Sequence, residues 1–351
     1  MKRLFILAAL PLLALASCNK EAKTSVPASP ATPIRLVVGV EGSASTRATG
    51  ITSNDEATEA KVNSLQVLVF NGDALDGYGS STNSKTATVA CTAGERVIYA
   101  VVNAPSLAAV TSKTALLATV SSLAAEISNF QMIGSTTETL QHDGAVSIHV
   151  DRLAARVVLR GIKNSHENPA LASQFRINAV YLTNAAGDVD YGQSAGYTVS
   201  RWYNRRGYEA TNNLGNFTYD AVNAALASGE TNSDVHFFYS MPNGNEGKIG
   251  LETGETAYTP RAARLVIRVE IAGNLYNYPI LLPALESNKS YEINLVNITK
   301  NGNLDDGNHD PDDPNDDDEE RPVTGFEQNF EIVVNDWTMV LVGDGEGNIT
   351  I

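Results

Sequence analysis

The chain has 351 residues, a formal net charge of −15 at pH 7 and two cysteines, Cys18 and Cys91. That charge excludes nucleic acid and anionic membrane surfaces as natural partners. So few cysteines exclude a disulfide framework, so the fold must be held by its cores.

The N-terminus reads Met1-Lys2-Arg3, then an apolar run from Leu4 to Ala16, then Ser17-Cys18. A basic start, a short apolar stretch and small residues are the regions of a secretory signal in order. The run is shorter than the roughly 20 residues a membrane-spanning helix needs. Leu15-Ala16-Ser17-Cys18 resembles the lipobox of bacterial lipoproteins, in which the cysteine is acylated and becomes the new N-terminus. Residues 1–18 are therefore predicted to be a lipoprotein signal peptide, with Cys18 the lipidation site. Residues 19–47 follow as a tether with prolines at 27, 30 and 33, carrying one strongly apolar segment, Ile34–Val40. Extended Pro-punctuated chain of this kind acts as a spacer. About 330 residues remain after the signal, a length that suits two domains.

From there the patterning is that of strands. Val146, Ile148 and Val150 alternate with polar residues, as do Tyr291, Ile293 and Leu295. Leu265, Ile267, Val269 and Ile271 do the same, with Val266 breaking the polar face. This is the period of half-buried strands. Leu65–Phe70 and Val97–Val102 are apolar on both faces and predict central strands. Further strands are predicted at 155–159, 177–182, 236–239 and 276–282. Asn71-Gly72-Asp73, Ala186-Gly187-Asp188, Asn243-Gly244 and Ala272-Gly273-Asn274 predict turns, the last a hairpin loop. Helix is predicted only at Thr114–Ile127 and from Asp220, as a cap, to Ala227. The boundary between domains is placed near Gly161, giving residues 48–160 and 161–351. Asp305 to Glu320 holds ten acidic residues and no Lys or Arg. The segment 302–321 is therefore predicted to be a mobile loop. Beyond it lie two β-type segments within 330–351, separated by Gly343–Gly347.

Three passages carry a resemblance to a family. They are Lys61-Val-Asn-Ser-Leu-Gln-Val-Leu-Val-Phe-Asn71, Val150-Asp-Arg-Leu-Ala-Ala-Arg-Val-Val-Leu159, and the C-terminal set Tyr278-Pro-Ile, 288–302 and Val334-Asn-Asp-Trp337. In this order, after a lipobox, they resemble the fimbrillins, the subunits of type V (protease-mediated) pili. The resemblance implies an all-β fold of two transthyretin-like β-sandwiches with one or two short helices. It also implies that an Arg-specific trypsin-like protease cuts between Arg47 and Ala48, in the loop-like stretch Ser45–Thr49. The displaced strand would carry Ile34, Leu36, Val38 and Val40. The groove it leaves would be filled by the C-terminal donor of another subunit, drawn from Ile332, Val334, Trp337, Met339, Leu341, Ile349 and Ile351. The partners implied are other pilus subunits, that protease and the lipoprotein export machinery. The precursor would sit at the outer membrane through its lipid and the mature chain in a surface fimbrium, serving adhesion.

Other classes are weaker. The five histidines lack metal-ligand spacing and there is no Gly-x-Ser-x-Gly or phosphate loop, so no enzyme, cofactor or metal is expected. Carboxylates of the acidic run suit Ca²⁺, but no EF-hand glycine spacing is present and a solvated spacer is preferred. An anchor subunit that keeps its lipid and a tip or accessory subunit are the competing pilus roles. A glycan-binding surface lipoprotein is a third reading, using Trp202, Tyr203 and Tyr208.

Overall fold

The structure is a computed structural model that describes residues 32–42, 59–127, 129–245, 258–307, 318–323 and 332–337. The signal peptide, Cys18, Arg47, Ala48, Met339, Leu341, Ile349 and Ile351 lie outside the described residues.

The first half of the chain gives β1 (Pro33–Gly42), β2 (Ser64–Asn71), β3 (Ala74–Thr82), β4 (Thr86–Thr92), β5 (Gly94–Val102), β6 (Val120–Ser122), β7 (Met132–Leu140) and β8 (Gly144–Arg152). Seven of these form one sheet in the order β3-β2-β5-β7-β8-β1-β4. The sheet bends between β7 and β8, which share only the pairs Met132↔Arg152 and Ile133↔Asp151. A Cβ at Gly134 would lie 1.7 Å from the His149 carbonyl oxygen, so only glycine admits that approach. At the other side the end strands β3 and β4 close on each other. A Cβ at Gly77 or Gly79 would lie 2.3 or 2.2 Å from a β4 carbonyl oxygen. The bend and the closure make two layers, β3-β2-β5-β7 and β8-β1-β4.

The second half gives β9 (Ala155–Leu159), β10 (Ile162–Asn164), β11 (Phe175–Thr183), β12 (Ala185–Ala186), β13 (Asp188–Asp190), β14 (Trp202–Tyr203), β15 (Tyr219–Ala225), β16 (Thr231–Asn232) and β17 (His236–Ser240). It continues with β18 (Arg264–Ile271), β19 (Asn274–Leu281), β20 (Lys289–Ile293), β21 (Val296–Ile298), β22 (Asn303–Leu304) and β23 (Ile332–Asp336). The main sheets are β15-β11-β18-β19-β22 and β17-β9-β20-β23, with β16-β10-β21 beside them. The all-β sandwich fold expected from the sequence is the fold observed. The β18–β19 hairpin turns at Ala272 and Gly273, both at positive φ (51° and 80°), as its Ala-Gly-Asn loop predicts.

Val266, the residue that breaks the alternation of β18, has a partner. A bulge in β11 between Ile177 and Ala179 shifts its phase by one residue. Ala179 and Tyr181 then face outward and pack with Val266 into a small second core, against Tyr208 and Tyr219. This sheet is therefore covered on both faces.

Four expectations are corrected. Ala155–Leu159, placed in the first domain by the boundary expected near Gly161, belongs to the second half, where β9 pairs with β17 and β20. The change of sheet falls at Leu153–Ala154, ahead of the boundary expected near Gly161. The Thr114–Ile127 helix is broken into a short α1 (Lys113–Leu117), capped by the Ser112 hydroxyl, which accepts the Ala115 N–H, and a 3-10 turn at Leu123–Ile127. The carbonyls of Leu117 and Thr119 instead accept from Gly192 and Tyr191, and Val120–Ser122 is drawn into pairing with β13. Nor does Asp220 cap a helix. It lies in edge strand β15, pairs with β11, and meets His236 Nδ1 at 2.7 Å. The acidic segment is not wholly a free loop, because Asp318, Glu319 and Glu320 are buried. The other helix, α2 (Pro169–Ala172), is capped by Asn168.

The β6–β13 pairing ties the two halves together, and Glu126 sits fully buried beside it. Burial raises its ionisation from 4.5 to about 8, opposed by hydrogen bonds from Ser121 and Gln131 and by the charge of Arg152. The folded chain thus holds a proton that the unfolded chain releases between those values. This group's stabilising contribution is full below pH 4.5 and is lost as pH rises to about 8. In Glu126→Gln that slope disappears. Urea unfolding between pH 5 and 8 will show the variant gaining on the parent by on the order of a few kcal/mol as pH rises. Gly134→Ala will destabilise the chain by about 1–3 kcal/mol or more through overpacking at the bend, read as a lower urea midpoint.

Candidate assembly site: strand β1 and the C-terminal strand

β1 is the middle strand of the β8-β1-β4 layer. It runs antiparallel to β4, from Pro33↔Thr92 to Gly39↔Thr86, and parallel to β8, from Leu36↔Gly144 to Gly42↔Val150. Ile34, Leu36, Val38 and Val40 point into the core at 6, 1, 0 and 6% exposure, while Val37 faces out at 39%. Burying four such side chains stabilises by roughly 6–12 kcal/mol, at about 1.5–3 each. Without β1, end strand β4 would have no hydrogen-bonded neighbour in its sheet, and β8 would keep only its two pairs with β7. The gap would have a floor of apolar core and two unpaired backbone edges.

β23 is an edge strand, antiparallel to β20, from Lys289↔Asp336 to Ile293↔Ile332. Its packing is light: Ile332 is half-buried and Val334 is 49% exposed. Trp337, the next residue, is 1% exposed. The Arg152 guanidinium lies 4.2 Å from its ring centroid and that of Arg156 lies 5.0 Å away. Phe130 packs edge-on at 5.3 Å and Tyr239 stacks at 5.8 Å. The indole Nε1–H donates to Glu59 Oε2 at 3.1 Å, and Arg152 Nη1 donates to the Trp337 carbonyl at 3.0 Å. Glu59 also receives Arg156 Nη1 at 2.9 Å and the Tyr239 hydroxyl. The first described residue after the 43–58 segment and the last described residue of the chain thus share one buried cluster.

A second charged cluster covers the outer face of the β11–β18 sheet. Glu319 accepts from Arg268 Nη2 at 2.9 Å, from the Tyr208 N–H at 3.1 Å and from the Tyr181 hydroxyl. Glu320 accepts from Asn184 Nδ2 at 2.9 Å and Arg264 Nη1 at 3.2 Å, with Arg261 Nε at 3.5 Å. Asn277 donates to Asp318 at 2.9 Å. A Cβ at position 207 would lie 1.8 Å from Glu319 Oε2, so Gly207 leaves the room that this carboxylate fills.

The aromatic set weighed for glycan binding is used internally. Trp202 and Tyr203 are buried in β14, and Trp202 packs against Tyr258 at 5.9 Å. Among the described residues no group of three or more His, Cys, Asp or Glu is arranged to hold a metal ion. The structure brings Ile332, Val334 and Trp337 together at one edge of the second half and Ile34, Leu36, Val38 and Val40 in the core of the first. Reading the sequence alone missed Glu59, Arg152 and Arg156 as a cluster. Its signal was two arginines inside a strand-like apolar run, since charged groups rarely enter a core unpaired.

Removing one partner of a buried pair costs about 3–5 kcal/mol. Glu59→Ala will therefore lower stability by that order in urea unfolding, and the fluorescence of Trp337 will shift to longer wavelength.

Residues 32–146 match the sequence model of the major fimbrial subunit protein (FimA). No curated protein matches the chain. Among solved structures, a "putative cell adhesion protein" from Bacteroides eggerthii is 20% identical, with a TM-score of 0.61, over 89% of this chain and 98% of that one. A fimbrilin (fimA) from Porphyromonas gingivalis is 16% identical, with a TM-score of 0.55, over 87% and 98%. A second "putative cell adhesion protein", from Parabacteroides distasonis, is 18% identical, with a TM-score of 0.52, over 87% and 96%. The expected resemblance thus holds: residues 32–146 match the fimbrial-subunit family in sequence, and the described chain has the fimbrillin fold.

Proposed function

We propose that this chain is the precursor of a structural pilus subunit, assembled by strand exchange after proteolysis. One observation carries the reading. The strand that completes the N-terminal sandwich, β1, precedes Arg47, and every other described strand follows it. A single cut after Arg47 therefore turns an intramolecular strand into a separate peptide. While β1 is tethered, its effective concentration at the groove is high, on the order of millimolar for a short linker, and a donor from another molecule rarely displaces it. Cutting the tether lets β1 dissociate for good. The groove then presents two unpaired backbone edges to an incoming strand, the geometry of β-augmentation.

The donor is the C-terminal end of a second subunit. Each contact is head-to-tail, so contacts extend into a filament rather than close a dimer. The same cut separates the subunit from lipidated Cys18. The lipid holds the precursor at the outer membrane, and the mature chain enters the surface fimbrium. An Arg-specific trypsin-like protease and the lipoprotein export machinery are the partners of these steps.

Arg47→Ala will leave a folded, lipidated monomer and abolish polymer ladders on gels of surface extracts. Polymers of normal length from that variant would remove the role assigned to Arg47. N-terminal sequencing of subunits taken from filaments will read from Ala48. An acylated start at Cys18 would make the chain an anchor subunit instead.

A further inference from the structure

We propose that Asp318–Glu320 and Ile332–Trp337 stay docked on their own subunit throughout assembly, so that only the residues after Trp337 cross into the neighbouring copy. This rests on the donor-strand reading above and narrows which residues the neighbour receives.

Two independent pins hold these residues. In the first stretch, Glu319 and Glu320 sit at 2% and 1% exposure against Arg268, Arg264 and Arg261. In the second, Trp337 fills the cage of Arg152, Arg156 and Glu59. Pulling Trp337 out would strip Glu59 of the indole donor. It would also strip Arg152 of a carbonyl acceptor and a ring face, leaving charges buried beside a void. Nothing in an incoming strand would replace those partners. β1 is held differently, by backbone pairs and apolar side chains that a donor strand replaces in kind.

The side-chain pattern agrees. The groove takes apolar groups at four alternate positions, those of Ile34, Leu36, Val38 and Val40. In β23 Ile332 and Val334 alternate, but Asp336 stands next. In a donor aligned on that face its carboxylate would enter an apolar slot. On its own subunit Asp336 meets Lys289 at the surface. After Trp337 the chain reads Thr338-Met-Val-Leu-Val342 and then, past a Gly-rich turn, Asn348-Ile-Thr-Ile351, with no charge in either run. The C-terminal end that crosses therefore begins after Trp337 and not at the acidic segment. The distal end of that segment, Asp318–Glu320, is buried on its own domain.

A disulfide lock tests this. Lys289→Cys with Asp336→Cys places a pair at directly opposed positions of β20 and β23, in a Cys91→Ala background. The purified precursor is cut with an Arg-specific protease, oxidised or reduced, and its polymers are followed on native gels and by electron microscopy. Mass spectrometry confirms the closed bond. The expected result is no loss of polymerisation in the oxidised form, while a chain ending at Trp337 forms no polymer. Filaments that appear only on reduction would overturn the proposal and leave the donor-strand reading standing. Filaments from the chain ending at Trp337 would overturn that reading as well. As a second readout, Trp202→Phe leaves Trp337 as the sole tryptophan. Its emission maximum will be the same in monomer and polymer, and a shift to longer wavelength in the polymer would count against a docked Trp337.

Discussion

A strand in the middle of a sheet layer satisfies two neighbours at once, and the structure depends on this property of β1. Its backbone pairs with β4 on one side and β8 on the other, while four alternate side chains close the core beneath. β4 has no second hydrogen-bonded partner, so the layer is complete only while some strand lies there. Backbone N–H and C=O groups cannot stay buried and unpaired. A chain built this way is stable as long as the position is filled, and it is indifferent to which molecule fills it. That separates this sandwich from one whose central strand lies deep within the sequence, where no single cut could release it.

The two charged clusters answer a different need. Glu59 with Arg152, Arg156 and Trp337, and Glu319–Glu320 with Arg261, Arg264 and Arg268, are each drawn from segments far apart in sequence. Apolar contacts tolerate replacement by other apolar groups of similar volume. A buried ion cluster does not tolerate the loss of a single member, because the partner left behind is a desolvated, unpaired charge. The molecule thus has one strand held by interchangeable contacts and one segment held by specific ones. On the proposed assembly route, the first is the strand that is vacated and the second the end that keeps its place.

Much of this was legible from residue patterns. Alternation in 146–150, 265–271 and 291–295 located β8, β18 and β20, and the double-faced runs 65–70 and 97–102 located β2 and β5. Where local patterning failed, distant partners had won. Thr114–Ile127 reads as one helix on its own, but Gly192, Tyr191 and β13 take up the backbone groups of its middle and leave a short helical turn at each end. The charge density of Asp305–Glu320 reads as a free loop, because a row of arginines on another strand leaves no mark within the loop itself.

By itself the sequence determined the strand repertoire, the all-β class and the order in which the candidate processing site, the apolar first strand and the apolar tail occur. These are local or near-local properties, set by periodicity and composition. Only the tertiary structure decided that β9 belongs to the second half, that Val266 has an outer core to fill, and that Trp337 and Glu59 meet in one buried cluster. Each of those outcomes is a pairing across many residues. Its free energy comes from burial and from satisfied charge, which exist only once the distant partner is in place.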